Sequence, residues 1–196
     1  YYERCGNLPA PGLEEKEIGF LLVLSKEGRF LRFEDCRMGK NRAKTFLVKK
    51  HVGRSSAVAA NYLYDNSTYV LGYADMDKDI EKNKDNEKKL KETLTKRNSK
   101  EKECLKAFTD KVNDICQACP NSEDLKAICQ FYKQDKTDIL NAISQDPLWD
   151  DIKKNLSKKY STFSFRIEGE RKITAEKREL LQLDAAEEDN AEEGLC

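Results

Sequence analysis

The apolar positions of this chain fall into two periodicities. Ile18 to Leu24 is a short continuous apolar run interrupted only by Gly19. A run of that length ending in a turn predicts a strand buried on both faces. Ser25-Lys26-Glu27-Gly28 predicts the turn, with a glycine able to take a positive φ, and Arg29 to Phe33 returns as the second strand of a hairpin. Lys44 to Val48 predicts a third strand and Thr68 to Tyr73 a fourth. From Tyr160 to Ile167 the pattern alternates: Phe163, Phe165 and Ile167 share one face, and Thr162, Ser164 and Arg166 the other. This late strand is expected to rejoin the early sheet.

Helical spacing takes over in the middle. Leu105, Phe108, Val112, Ile115 and Cys119 mark a first helix. Asn121-Ser122 caps a second through Leu125, Ile128 and Phe131. A third runs through Ile139, Leu140 and Ile143. Asp146-Pro147 starts a fourth, with proline in the first turn where its missing N–H costs nothing. Thr174 is expected to cap a last helix through Leu180, Leu181 and Leu183. Strands, then helices, then strand and helix make an α+β fold: a small, mostly antiparallel sheet with an inserted helical block. The chain divides into a strand-rich part (1–74), a charged flexible stretch (75–103), the helical block (104–159) and the returning strand and helix (160–196). The 75–103 stretch has almost no apolar residue, and reads as a flexible loop or a solvated helix extension. Ala185 to Glu193, acidic and small, is expected to fray. The start at Tyr1 and the end at Gly194-Leu195-Cys196 read as those of a fragment of a longer protein.

Composition narrows the function. Hydrophobic residues make up 38% and charged residues 37%, with zero net charge, so bulk charge names no partner. The seven cysteines are odd in number and irregularly spaced, no secretory signal precedes them, and no apolar run could span a membrane. A cytoplasmic protein with free thiols is the expectation.

Catalytic and metal chemistry find little support. His51 is the only histidine, follows two lysines, and has no nucleophile or acid motif near it in sequence. It reads as a surface basic residue. Cys116-Gln117-Ala118-Cys119 has the spacing of half a zinc site, but no second pair exists, and core packing is the expected role. Asp75, Asp77 and Asp79 imitate the start of a calcium loop, yet Ile80 and Asn86 stand where that loop needs its glycine and chelating glutamate. No catalytic residue, metal or cofactor is therefore expected.

Two features point elsewhere. Between Lys26 and Arg54, ten Lys or Arg face three acids, interleaved with Phe30, Phe33 and Phe46. Such an edge can neutralise phosphates. From Gly53 to Gly72, Ser55, Ser56, Asn61, Asp65, Asn66, Ser67 and Thr68 cluster hydrogen-bonding side chains on an expected loop. Asparagine can donate and accept at once, which suits a base edge; equally, Asp65-Asn66 suits a turn.

The motif from Arg54 to Gly72, with Asn61-Tyr62-Leu63, Asp65-Asn66 and Tyr69-Val70-Leu71-Gly72, resembles that of the large subunit of the type I-C CRISPR surveillance complex, Cascade. Tyr1-Tyr2-Glu3-Arg4 and the Ile18–Phe33 hairpin are similar to earlier blocks of that family. The Phe108 and Phe131 helices, Phe163-Ser164-Phe165 and Gly194-Leu195-Cys196 follow in the same order. The likeness covers most of this chain but only the front third or so of the family's length. Three departures stand out. Ala57 replaces a glycine, Cys5 replaces a leucine, and 75–103 looks longer than usual.

The resemblance implies a non-catalytic DNA-binding subunit that recognises the motif flanking a target and aids duplex opening. Its partners would be double-stranded target DNA, the guide RNA, the other surveillance-complex subunits and a separate helicase-nuclease. On this reading Arg42, Lys44, Lys49, Lys50 and Arg54 bind phosphates, Ser56 and Asn61 read bases, and Asp65 and Asn66 shape the loop. The alternative is a protein-interaction scaffold that docks neighbouring subunits and the guide's 5′ handle without reading DNA.

Overall fold

A computed structural model describes residues 8–183 of the chain. The expectations for Tyr1–Cys5, for Ala185–Glu193 and for Gly194–Cys196 lie outside these residues. The fold is α+β. Strand β1 (Leu13–Glu17) pairs antiparallel with β4 (Thr45–Lys49) in a two-stranded ribbon. Strand β2 (Phe20–Leu24) lies between β3 (Phe30–Asp35) and β5 (Phe163–Ile167) in a three-stranded sheet.

The central position of β2 explains its composition. Every residue of it is buried, as a strand covered on both faces requires. Gly28 closes the β2–β3 turn at φ +86°; a Cβ there would lie 2.7 Å from the Phe131 backbone nitrogen, so both conformation and space demand glycine. Strand β5 rejoins the early sheet as expected, but parallel to β2. Parallel strands need a long crossover, and the helical block supplies it.

That block begins earlier than the sequence pattern indicated. Thr68–Tyr73, expected as a strand, instead contributes to helix α1 (Ser67–Val70) and the turn after it. Asn66 decides this: its side-chain oxygen accepts from the Thr68 and Tyr69 N–H groups and starts a helix, and Gly72 ends the turn at φ +60°. The β-branched and aromatic residues that suggested a strand are there because the segment is buried.

The stretch 75–103 is also helical rather than a loop. It forms α2 (Asp77–Asn83) and the first half of α3 (Glu87–Ala118), so the solvated helix extension is the form it takes. Lys, Glu and Leu favour helix intrinsically. Anchors then fix the helix: Glu101 accepts from the Ala74 N–H at 3.0 Å, and Asn83 donates to Thr93 at 3.2 Å.

Helix α4 (Glu123–Lys133) starts at the Ser122 cap as expected, and α5 (Lys136–Ser144) follows from Asp135. Helix α6 (Trp149–Lys154) begins two residues after Pro147, because Asp146 is engaged differently. One carboxylate oxygen accepts from the Leu148 N–H and the other from the Phe33 N–H of β3, each at 2.8 Å. Thr174 does not cap the last helix. It starts a 3-10 turn (Thr174–Glu176), and its hydroxyl donates to buried Asp124; helix α7 (Arg178–Leu181) starts only after Lys177.

One continuous core joins sheet and helices. Phe108, Phe131, Tyr132 and Phe165 meet ring to ring at 5.0–6.2 Å, and Trp149 stacks on Phe33 at 6.0 Å. The free-thiol expectation needs correction for one pair. Cys116 at the end of α3 and Cys129 on α4 form a disulfide, because the tight α3–α4 turn lays the two helices side by side. Cys36, Cys104 and Cys119 are free, and burial pushes the Cys36 thiol up to about 11. No helix of the described residues is long and apolar enough to cross a membrane.

Candidate nucleic-acid interface

Beyond β4 the chain runs irregularly from Lys50 to Asn66, broken only by a single bridge from Asp65 to Phe163 of β5. Such a segment needs side chains to satisfy and fix its backbone. Arg54 and Asp65 do most of this. The Arg54 guanidinium pairs with Asp65, donates to the Ala59 carbonyl at 2.6 Å and lies 4.0 Å above the Tyr69 ring. Asp65, 2% exposed, also accepts from the Asn61 and Asn66 N–H groups at 3.0 and 2.9 Å.

Asn61 is buried in the same framework. Its side-chain oxygen accepts from the Val52 N–H at 2.9 Å and ties the two ends of the loop together. Leu63 holds a left-handed φ of 63°, and Ser164 of β5 donates to its carbonyl at 2.7 Å. Between these clamps, residues 53–58 are exposed and carry Ser55 and Ser56 outward. Ala57 has no positive φ, so the alanine in place of glycine meets no strain here.

The residues expected at a base edge thus separate: Ser56 is exposed and Asn61 is turned to the backbone. The expected phosphate contacts separate too. Lys50 is exposed, and Lys44 is exposed with its ammonium 5.2 Å from the Phe46 ring. Arg42 is 72% exposed while donating to Glu17 at 2.7 Å. Lys49 is buried, its ammonium 4.7 Å from the Tyr62 ring, and Arg54 is committed to Asp65.

Strand β1, which the sequence pattern missed, supplies much of the local electrostatics. Glu17 accepts from the Ala43 N–H and from Arg42, in that order of effect, and sits below its usual carboxylate range. Burial raises the Glu14 carboxyl, but hydrogen bonds from the His51 ring and backbone and from Tyr64 outweigh it and hold Glu14 low. His51 Nδ1 lies 2.9 Å from Glu14. Farther along the basic run, Arg37 pairs with Asp35 and Asp151, and Arg32 with Glu168. The charged run Glu14-Glu15-Lys16-Glu17 was the only sequence signal for the part played by β1, and it is indistinguishable from a solvated loop. Among the described residues, no cluster of His, Cys, Asp or Glu could hold a metal; Asp77, of the imagined calcium loop, holds Arg97 and Tyr73.

The family described as CRISPR-associated protein (Cas_Csd1) matches residues 1–196. No curated protein matches the chain.

Proposed function

Because the chain belongs to the CRISPR-associated Cas_Csd1 family, the type I-C Cascade large subunit, we propose that it is a non-catalytic, DNA-binding part of that complex. It recognises base pairs flanking the target and helps to open the duplex. Target sequence itself is read by guide RNA pairing, and the protein reads only the short flanking motif. Its partners are the target duplex, the guide RNA, the other subunits and a separate helicase-nuclease, in the cytoplasm.

The observation that supports this most is the 53–58 loop: exposed, carrying hydroxyls, and held at both ends by buried polar clamps. Recognition residues belong on loops positioned by a rigid scaffold. Lys44, Lys50 and the exposed Arg42 meet phosphates and set affinity. Ser56, beside Ser55, meets base edges. Asn61, Arg54, Asp65 and Asn66 hold the loop, and Lys49 supports it from inside.

In the assembled complex, replacing Ser55 and Ser56 together by Ala should cut the preference for the correct flanking motif by about 1–3 kcal/mol. Thermal stability should stay unchanged. Asn61→Ala should instead lower stability and weaken all targets alike. Unchanged motif preference in the serine variant overturns the base-reading role.

The carboxylates that neutralise Arg32, Arg37, Arg42 and Arg54 favour a second reading, in which this face docks neighbouring subunits and the guide's 5′ handle. Salt separates the two. A phosphate binder loses duplex affinity steeply with ionic strength, and a docking surface shows no duplex binding to lose.

A further inference from the structure

A groove of 520 Å³ opens between α3, the end of α1 and the α4–α5 junction, away from the 53–58 loop. Its floor is apolar: Leu71, Leu105, Tyr132 and Ile139. Its rim carries three lysines, Lys102, Lys106 and Lys136, against one carboxylate, Glu101. That carboxylate is already engaged. Arg97 donates to one of its oxygens at 2.9 Å and Lys136 lies 3.4 Å from the other. Lys102 and the Asn98 amide, also on the rim, make no ion pair or hydrogen bond among the described residues.

The groove is built rather than incidental. Gly72, at φ +60°, lets Leu105 and Lys136 lie directly on its backbone; a Cβ there would come within 2.9 Å of Leu105 Cδ2 and 3.2 Å of Lys136 Nζ. The turn that ends α1 therefore fixes one apolar wall and one cation.

The surface continues beyond the groove. Lys91, Thr95, Asn98, Lys102, Lys106 and Thr109 recur at helical spacing and share one stripe of α3. From Lys91 to Lys106 the stripe runs about 22 Å at 1.5 Å per residue. Glu92, Glu103 and Asp110 fall on the adjoining side, from which Asp110 pairs with Lys106 at 2.6 Å; both partners are exposed, so the pair is weak and a phosphate can replace the carboxylate. A row of cations leading into an apolar recess fits a polymer with a repeating anion and a flat apolar group beside it. A pocket of this size suits one such group, and an amide at its lip can both donate and accept.

We propose that this groove binds one nucleotide unit of a single nucleic-acid strand, its base against Leu105 and Ile139 and its phosphates on Lys102, Lys106 and Lys136. A duplex hides its base faces and could use only the lysines. The inference stands on the groove alone and does not depend on the loop reading.

The test is fluorescence anisotropy on the whole chain with a labelled 20-nucleotide thymidine strand across a salt series. Lys102→Ala with Lys106→Ala should weaken binding about tenfold, and should flatten the log–log salt slope by roughly 1.4, at about 0.7 per lost phosphate contact. Lys89→Ala with Lys100→Ala removes the same charge from the opposite side of α3 and should change neither strongly. All four lysines are exposed, so each variant should melt like the wild type. An abasic strand should bind about tenfold weaker than the thymidine strand. Equal losses in the two lysine pairs, an abasic strand that binds equally well, or polyglutamate that displaces the strand at matched charge would each overturn the proposal. Lys44→Ala with Lys50→Ala reports on the loop through duplex binding only, so failure of that reading leaves this result intact.

Discussion

Between Lys26 and Arg54, ten Lys or Arg face three acids in sequence, whereas between Glu87 and Lys111 nine face five. By composition the first stretch is the anion site and the second a less basic, solvated face. In the fold the relation changes. The first stretch acquires Glu17, Asp65, Asp151 and Glu168 from elsewhere in the chain, and these pair with four of its arginines, Arg42, Arg54, Arg37 and Arg32. In the second, helical periodicity sets Lys91, Lys102 and Lys106 on one stripe of α3 and Lys89 and Lys100 on the opposite side, while Arg97 and Lys106 pair with Glu101 and Asp110. Charge density along a chain is therefore a poor measure of surface potential. Pairing across the fold cancels charge, and helical periodicity concentrates it. The chemistry of the cations adds to this: Arg37 and Arg54 use their planar forks to hold the fold, and Lys44, Lys50 and the exposed Arg42 remain open to a partner.

The largest expected effect tests that division directly. Arg54→Ala leaves Asp65 buried without its cation and should destabilise the fold by about 3–5 kcal/mol, read by urea unfolding. Arg42→Ala, on an exposed pair, should cost only about 0–1 kcal/mol. An Arg54→Ala protein as stable as the wild type would break the comparison at its first term.

Glu101→Gln addresses the other region. It keeps the shape of the side chain but loses the charge that Arg97 and Lys136 share, and should cost about 1.5–3 kcal/mol. Single-strand binding should hold or strengthen, because the groove becomes more positive. A loss of binding in variant protein that is still folded would show that Glu101 acts on the strand itself.

Smaller effects separate the lysines. Lys44→Ala and Lys50→Ala should each flatten the salt dependence of duplex binding by roughly 0.9 and leave stability within about 0.5 kcal/mol of wild type. The smallest effect is acidic. Hydrogen bonds and cations hold Glu14, Glu17 and Asp35 below their ordinary values. A depressed carboxylate contributes stability that is present above its unfolded value, at about pH 4, and is lost as pH falls through the lower folded value. The unfolding midpoint should thus drop below about pH 4, and Glu14→Gln should make the drop shallower.

The sequence carried the parts of the fold with strong local signals. The β2–β3 hairpin was legible because an unbroken apolar run meets a Ser-Lys-Glu-Gly turn. Helices α4 and α5 were legible from spacing and caps. Strand β1 was not, because Leu13–Glu17 is mostly charged and becomes a strand only by pairing with β4. Helix α1 was misread because burial selects the same residue types as β-structure. At the site, the loop and its residues could be located, but their orientations could not. Ser56 and Asn61 have equally polar side chains; one faces out and the other holds Val52, a difference set by Asp65 and β5.

By itself, then, the sequence determined the α+β class, the hairpin, the late strand, most of the helical block and the family motif, since each rests on contacts or propensities within a few residues. Only the tertiary structure decided that β5 runs parallel to β2, which arginines are neutralised, that Cys116 meets Cys129, and that Gly72 seats Lys136 and Leu105 in a groove. Each of these joins residues distant in sequence. Their proximity depends on how the whole core packs, and no local pattern encodes it.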